Sequence, residues 1–283
     1  MTLADEGAWP QDRLDADYTA KLSCSEADFR RIVATYGALS APARNLPGTR
    51  TGIAYDPHSA ETLDIYGTVP GALRPCFMFI HGGYWRALSK DQSAFMAPML
   101  AAQGIACAVP DYTLAPTANL TEIVRQCRAA LAYLWHHADS LGIDRTRIVV
   151  GGSSAGGHLT GTLVSPGWQA AAGLPDQPLR GALPVSGLFD LAPIAASHVQ
   201  DWMALTPSEV DLLSPLRHPP RLPFACTVAL AQAETPGFHR QSAAYGAALG
   251  APVLTVSGRN HFDVILDWTD PESALSQALF ALV

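Results

Sequence analysis

The segment Gly152-Ser153-Ser154-Ala155-Gly156 sets a serine among small residues, with the apolar run Ile148-Val149-Val150 before it and a helical pattern after it. That arrangement suits a nucleophile. A serine on a tight strand-to-helix turn holds a strained backbone and needs neighbours with almost no side chain. The turn exposes the Ser154 hydroxyl. It also aims the backbone N–H groups that follow, at the positive end of a helix, toward whatever the oxygen attacks. A glycine-rich turn without chemistry has the same spelling, so the reading depends on partners elsewhere.

A serine nucleophile needs a base, an acid to orient the base, and donors for an oxyanion. Of the nine histidines, His261 stands on the loop after the last apolar run, in Gly258-Arg259-Asn260-His261-Phe262. From there it can reach a serine at the centre of a sheet. His136 and His137 fall on a helix, His58 precedes the main sheet, and His239 sits one turn into a helix. His198 and His218 lie in a proline-rich insertion, His158 packs under the serine turn, and His81 braces the loop it opens. Two acids follow strand-like runs between Ser154 and His261: Glu234 and Asp190. Chain order weighs Glu234 above Asp190. Asp263 is too near His261 to serve. Gly82 and Gly83, after the run Cys76 to Ile80, leave unobstructed N–H groups, and with Ala155 they could hold an oxyanion. Tyr84 and Trp85 follow directly. They are expected on the acyl side of a substrate, with Tyr18 on the leaving-group side.

These residues need a scaffold. The chain has 283 residues, 48 % hydrophobic and 15 % charged, enough for one large core with a small cap. A net charge of -7 gives no reason to expect nucleic acid or an anionic membrane as partner. No apolar run is long enough to span a bilayer, and an acidic start without a signal pattern makes the cytoplasm the expected location. Five scattered cysteines and no metal-ligand spacing argue against disulfides, a metal or a cofactor.

Apolar runs at Cys76–Ile80, Ile105–Val109, Ile148–Val150, Ala182–Val185, Cys226–Ala231 and Val253–Ser257 read as strands. Thr62–Tyr66 reads as an edge strand. Helical patterns cover Ser25–Leu39, Lys90–Gln103, Thr121–Leu141 with Thr121 as cap, the stretch from Ala155, Gly237–Leu249, and the stretch from Pro271. Alternating strands and helices predict an α/β fold with a mostly parallel sheet, whose ligands sit beyond the strand C-termini. Residues 1–50 are expected to form an N-terminal lid or wrap, and residues 188–223 a cap containing a short helix from Thr206 to Leu213.

At this point the chain resembles an α/β-hydrolase of the arylformamidase (kynurenine formamidase) and esterase group. The resemblance rests on Glu61 to Tyr66, His81-Gly82-Gly83-Tyr84-Trp85, Asp111 to Pro116, Gly152 to Leu159, Glu234 to Ser242 and Asn260-His261-Phe262. Asp17 to Lys21 is similar to a Tyr-Asn-Ala-Arg segment of that group, from which Thr19 and Lys21 depart. Tyr84 stands where lipase-like members carry a third glycine, and Ser153 where relatives often have histidine. The resemblance implies Ser154 as nucleophile, His261 as base, Glu234 as acid, and Gly82, Gly83 and Ala155 as oxyanion donors. It implies release of a small acyl group from an aryl amide such as N-formylkynurenine. A small-acyl carboxylesterase or aryl carbamate hydrolase uses the same machinery. A small-molecule receptor on this fold usually loses a member of the set, and none is lost here. A homodimer is compatible with the sequence.

Overall fold

The computed structural model describes residues 2–220 and 224–283, so the last three residues of the expected cap, and Met1 of the expected N-terminal wrap, lie outside the described residues. The apolar runs become the middle of a sheet because residues buried on both faces need no polar alternation. Strands β1 (Arg50–Ala54), β2 (Thr62–Tyr66), β3 (Arg74–Ile80), β4 (Ala106–Pro110), β5 (Ile143–Ser153), β6 (Gly181–Val185), β7 (Ala225–Cys226), β8 (Val228–Ala233) and β9 (Val253–Asn260) follow in chain order. Among the described residues they form one nine-stranded sheet in the order β1-β2-β4-β3-β5-β6-β8-β9, with β7 against β6. From β3 to β9 the pairings are parallel, while β1–β2 and β2–β4 are antiparallel.

The two faces carry separate cores. Cys76, Met78 and Ile80 face one, with Val150 and the helix Leu120–His136. Phe77 and Phe79 face the other, packed edge-on against Trp268 at 5.2 and 5.4 Å. The chain passes from β3 out to β4 and returns to β5 on the other side of β3. That reversal opens a crevice beyond the ends of β3 and β5.

Several elements differ from the sequence reading. Thr62–Tyr66 is not an edge strand, because β1 pairs outside it. Lys90–Gln103 divides into a 3₁₀ turn at Lys90–Gln92 and a helix at Ala97–Ala102. Pro98 lacks an N–H and suits the first helical turn, so the helix starts beside it. The long helix begins at Leu120 under Asn119, whose side chain accepts from the Glu122 N–H at 2.9 Å, and Thr121 instead donates to Glu209. It ends at His136, and a short helix Ala138–Leu141 runs on to Gly142. The strand expected over Cys226–Ala231 is split into β7, which ends at Cys226, and β8, which starts at Val228, and the C-terminal helix spans Ala274–Phe280. The insertion after β6 carries short helices at Ala192–Ala195, Gln200–Met203 and Pro207–Leu212, the last under a reciprocal Thr206–Glu209 cap.

Candidate active site

Ser154 caps the helix Ala155–Val164 directly after β5, with φ 58° and ψ -118°. A non-glycine residue there costs on the order of 1–2 kcal/mol, so its surroundings must impose it. They do. The Ser154 N–H donates to the Val185 carbonyl at 2.9 Å, and the Ser154 carbonyl accepts from the His158 N–H at 3.0 Å. Gly156 lets the helix press against β3: a Cβ there would lie 2.0 Å from the Ile80 carbonyl oxygen. Ala155, fully covered, supplies the first amide of the helix. Such amides have no acceptor within the helix.

Strand register brings the acid to the histidine. Ala233 at the end of β8 pairs with Asn260 at the end of β9, so Glu234 and His261 are the next residue on each neighbouring strand. The His261 Nδ1 lies 2.8 Å from Glu234 Oε2, with both side chains nearly out of solvent. The Ser186 hydroxyl donates to the other oxygen, Oε1, at 2.5 Å. The Phe238 ring packs on the imidazole with centroids 4.4 Å apart. With Nδ1 taken, Nε2 is the nitrogen left for the cavity that His261 and Ser154 both line. Asp190 is committed elsewhere: it accepts from Arg217 at 2.9 Å and from the Ala192 N–H at 2.9 Å.

The loop after β3 completes the floor. Gly83 has φ +93°, and a Cβ on it would lie 2.3 Å from the Ala87 carbonyl oxygen. Tyr84 and Trp85 follow with φ of 50° and 57°. His81 fixes the start of this loop. Its ring stacks on Tyr112 at 4.3 Å, and the Tyr112 hydroxyl reaches the carbonyls of His81 and Gly82 at 3.1 and 3.2 Å. Burial pushes the His81 imidazole down to about 4. Asp111, whose Oδ1 lies 3.8 Å from His81 Nε2, is pushed up to about 6, also by burial.

Gly82, Gly83, Ser154 and His261 open on a cavity of about 390 Å³. Phe29, Val33 and Tyr36 of the helix Glu26–Ser40 form one wall, His198 and Trp202 of the insertion another. Its formal charges are Lys21 and Arg86, each stacked on a ring of the lining: Lys21 Nζ over Phe29 at 4.3 Å, the Arg86 guanidinium over Trp202 at 3.6 Å. A larger cavity of about 550 Å³, near Leu163, Leu179 and Phe224, holds none of these groups. Among the described residues no three His, Cys, Asp or Glu side chains gather as a metal site, and no helix is long and apolar enough to cross a membrane.

Set beside known proteins, the chain is 30 % identical to kynurenine formamidase of Salmo salar, over 85 % of this chain and 84 % of that one. The chain belongs to the kynurenine formamidase group of the α/β-hydrolases. The Danio rerio kynurenine formamidase is 27 % identical over 99 % of both chains, and the BD-FAE family matches residues 63–165. A solved Silicibacter structure, described as a candidate thioesterase, superposes with a TM-score of 0.82 at 27 % identity, covering 94 % of this chain and 98 % of that one. The Pyrobaculum calidifontis esterase shares the fold, with a TM-score of 0.71 at 17 % identity over 91 % of this chain and 92 % of that one.

Within this formamidase-group fold, two expected substrate contacts do not reach the cavity. Trp85 is fully covered: its left-handed backbone turns the ring inward, edge-on to His158 at 5.2 Å. The Tyr18 side chain is also fully covered, donating to Glu6 at 3.1 Å and accepting from Gln241 at 3.3 Å. Tyr84 does line the cavity. Sequence reasoning missed Phe29 and Tyr36, whose helical spacing reads equally as core, Trp202 in the insertion, and Ser186, whose partner stands 48 residues away. The left-over signal for Phe29 and Tyr36 was their place on an amphipathic helix in a segment already expected to cover the site.

Proposed function

We propose that the chain is a serine hydrolase that removes a small acyl group from an aryl amide, with N-formylkynurenine as the favoured substrate. The observation that carries this reading is the buried Glu234–His261 pair sharing an aromatic cavity with Ser154 on its strained turn. His261 Nε2 takes the proton of Ser154 as Oγ bonds to the formyl carbon. The oxyanion accepts from the amides of Ala155 and of Gly82 or Gly83, a donor worth about 3 kcal/mol apiece in the transition state. His261 then returns the proton to the aromatic nitrogen as the C–N bond breaks. Water, losing a proton to His261, attacks the acyl-serine and releases formate, and Ser154 recovers its proton.

The kynurenine formamidase relatives support the formyl group as the acyl part, and the ring-lined walls support an aromatic leaving group. Lys21 and Arg86 favour a carboxylate on that leaving group. The Glu26 carboxylate, which feels the Lys21 charge, is paired with Arg30 at 3.0 Å, and no Asp or Glu stands among the residues lining the cavity. The esterase relatives keep a second reading in play, a small-acyl carboxylesterase or aryl carbamate hydrolase.

A turnover panel separates them. N-formylkynurenine is expected to give the highest kcat/KM, followed by acetyl aryl esters, with steep loss toward octanoyl esters. Octanoyl turnover at or above acetyl would replace the formamidase reading with a general esterase. Ser154→Ala is expected to lower kcat on the order of 10⁴-fold or more while the fold persists. Near-normal turnover by that variant would end the serine mechanism.

A further inference from the structure

The three loops that carry Gly82–Gly83, Glu234 and His261 leave different strands, β3, β8 and β9, and each is met by the same N-terminal segment. The Tyr84 hydroxyl donates to the Tyr18 carbonyl, one residue beyond the glycine pair. The Thr235 hydroxyl, next to Glu234, donates to the Asp17 carbonyl at 2.5 Å. The Tyr36 hydroxyl donates to the carbonyl of Phe262, next to His261, at 2.5 Å. The Phe29 ring adds an edge contact to Phe262 at 4.8 Å. The segment is itself tied down. Arg240 grips Glu6 at 2.6 and 3.0 Å and Asp17 at 2.6 Å, on a helix that starts two residues after Glu234. The Tyr18 ring meets Phe238 at 6.1 Å, and Phe238 meets the His261 ring.

We infer that residues 17–36 are a strut that sets the three loops relative to one another, with Tyr84, Thr235 and Tyr36 as positioning residues. A mobile lid would not place a hydroxyl–carbonyl bond beside each functional residue in turn. Strand register aligns Glu234 with His261 but says nothing about the glycine loop, which leaves the sheet three strands from β8 and four from β9. Consecutive carbonyls at Asp17 and Tyr18 join that loop to the acid loop through adjacent peptide units. The inference rests on the reading of Ser154, Glu234 and His261 given above.

Tyr84→Phe, Tyr36→Phe and Thr235→Val each remove one hydroxyl and keep most of the side chain's volume. Each is expected to lower kcat on a short-acyl aryl ester about tenfold, since small misplacements of reacting groups are costly. KM should stay within about twofold, and Thr235→Ser should restore kcat to within about twofold of the parent. Folded variants with unchanged kcat, or a raised KM with unchanged kcat, overturn the strut and leave these residues as wall alone. If Thr235→Val does not fold, the two Tyr→Phe variants carry the test with their rings intact. Ser154→Ala in parallel keeps the failures apart. An active Ser154→Ala ends the catalytic reading, whereas an inactive one with full kcat in the hydroxyl variants ends only the strut.

Discussion

Glu234 divides its two oxygens between His261 Nδ1 and the Ser186 hydroxyl, and neither oxygen faces solvent. A carboxylate so held keeps one imidazole nitrogen protonated and the other free to act as base. Glu234→Gln preserves the shape and removes the charge, and kcat is expected to fall on the order of 10³–10⁴-fold. Ser186→Ala leaves the charge and loosens its aim, for a loss of roughly tenfold. Asp190→Asn should cost stability, because it weakens the pairing of the buried Asp190 carboxylate with the half-buried Arg217, while the folded enzyme keeps kcat within roughly threefold. Steady-state rates beside unfolding curves check all three, and a larger kcat loss for Asp190→Asn than for Glu234→Gln would reverse the acid assignment. Chain order was enough to weigh Glu234 over Asp190. Ser186 was not legible, because its contact depends on β6 lying beside β8, a pairing written nowhere in local sequence.

At the scale of elements, the turn from β5 into its helix works only because backbone meets backbone. The Ile80 oxygen that a Cβ on Gly156 would strike belongs to a central strand paired on both sides, so it cannot move away. Gly156→Ala is therefore expected to destabilise by about 4 kcal/mol or to prevent folding. Gly52 has φ +68°, yet nothing lies within 4 Å of the Cβ it would gain. Gly52→Ala should cost only about 1 kcal/mol, the conformational term alone. Urea midpoints for the pair measure the contrast, and equal losses would refute the steric account. The same two glycines mark what the sequence reveals of elements. β5 announces itself, because an apolar run ends in a glycine-serine turn. β1 does not: Arg50-Thr51-Gly52-Ile53-Ala54 is mostly exposed and carries no apolar run, and becomes a strand only by pairing with β2. The Lys90–Gln103 pattern failed for a related reason. Periodicity sees the apolar side chains, but Pro98 decides where the hydrogen-bonded turns begin.

Across the whole molecule, the polar groups that brace the active loops also set how the fold answers to acid. His81 opens the glycine loop and His158 lies in the helix that follows Ser154, and burial holds both down to about 4. His158 Nδ1 has no hydrogen-bond partner among the described residues, so a proton there would put an unpaired N–H in the interior, and His81 Nε2 has only the Asp111 carboxylate, at 3.8 Å, beyond hydrogen-bond reach. Between about pH 6.5 and 4 these histidines take up protons only in the unfolded chain, and stability falls as pH falls. Asp111 works the other way. Raised to about 6, it keeps a proton in the fold between its ordinary value and pH 6 that the unfolded chain gives up. Two histidines against one carboxyl leave a net loss from these groups of roughly 1.4 kcal/mol per pH unit over the window they share, about pH 6 to 4. The urea midpoint is thus expected to be lower at pH 5 than at pH 7.5 with an unchanged slope, and His158→Gln should shrink the difference. A midpoint at pH 5 equal to or above that at pH 7.5 would mean that the fold accepts these protons, and that the histidines under the active loops are not held neutral by burial.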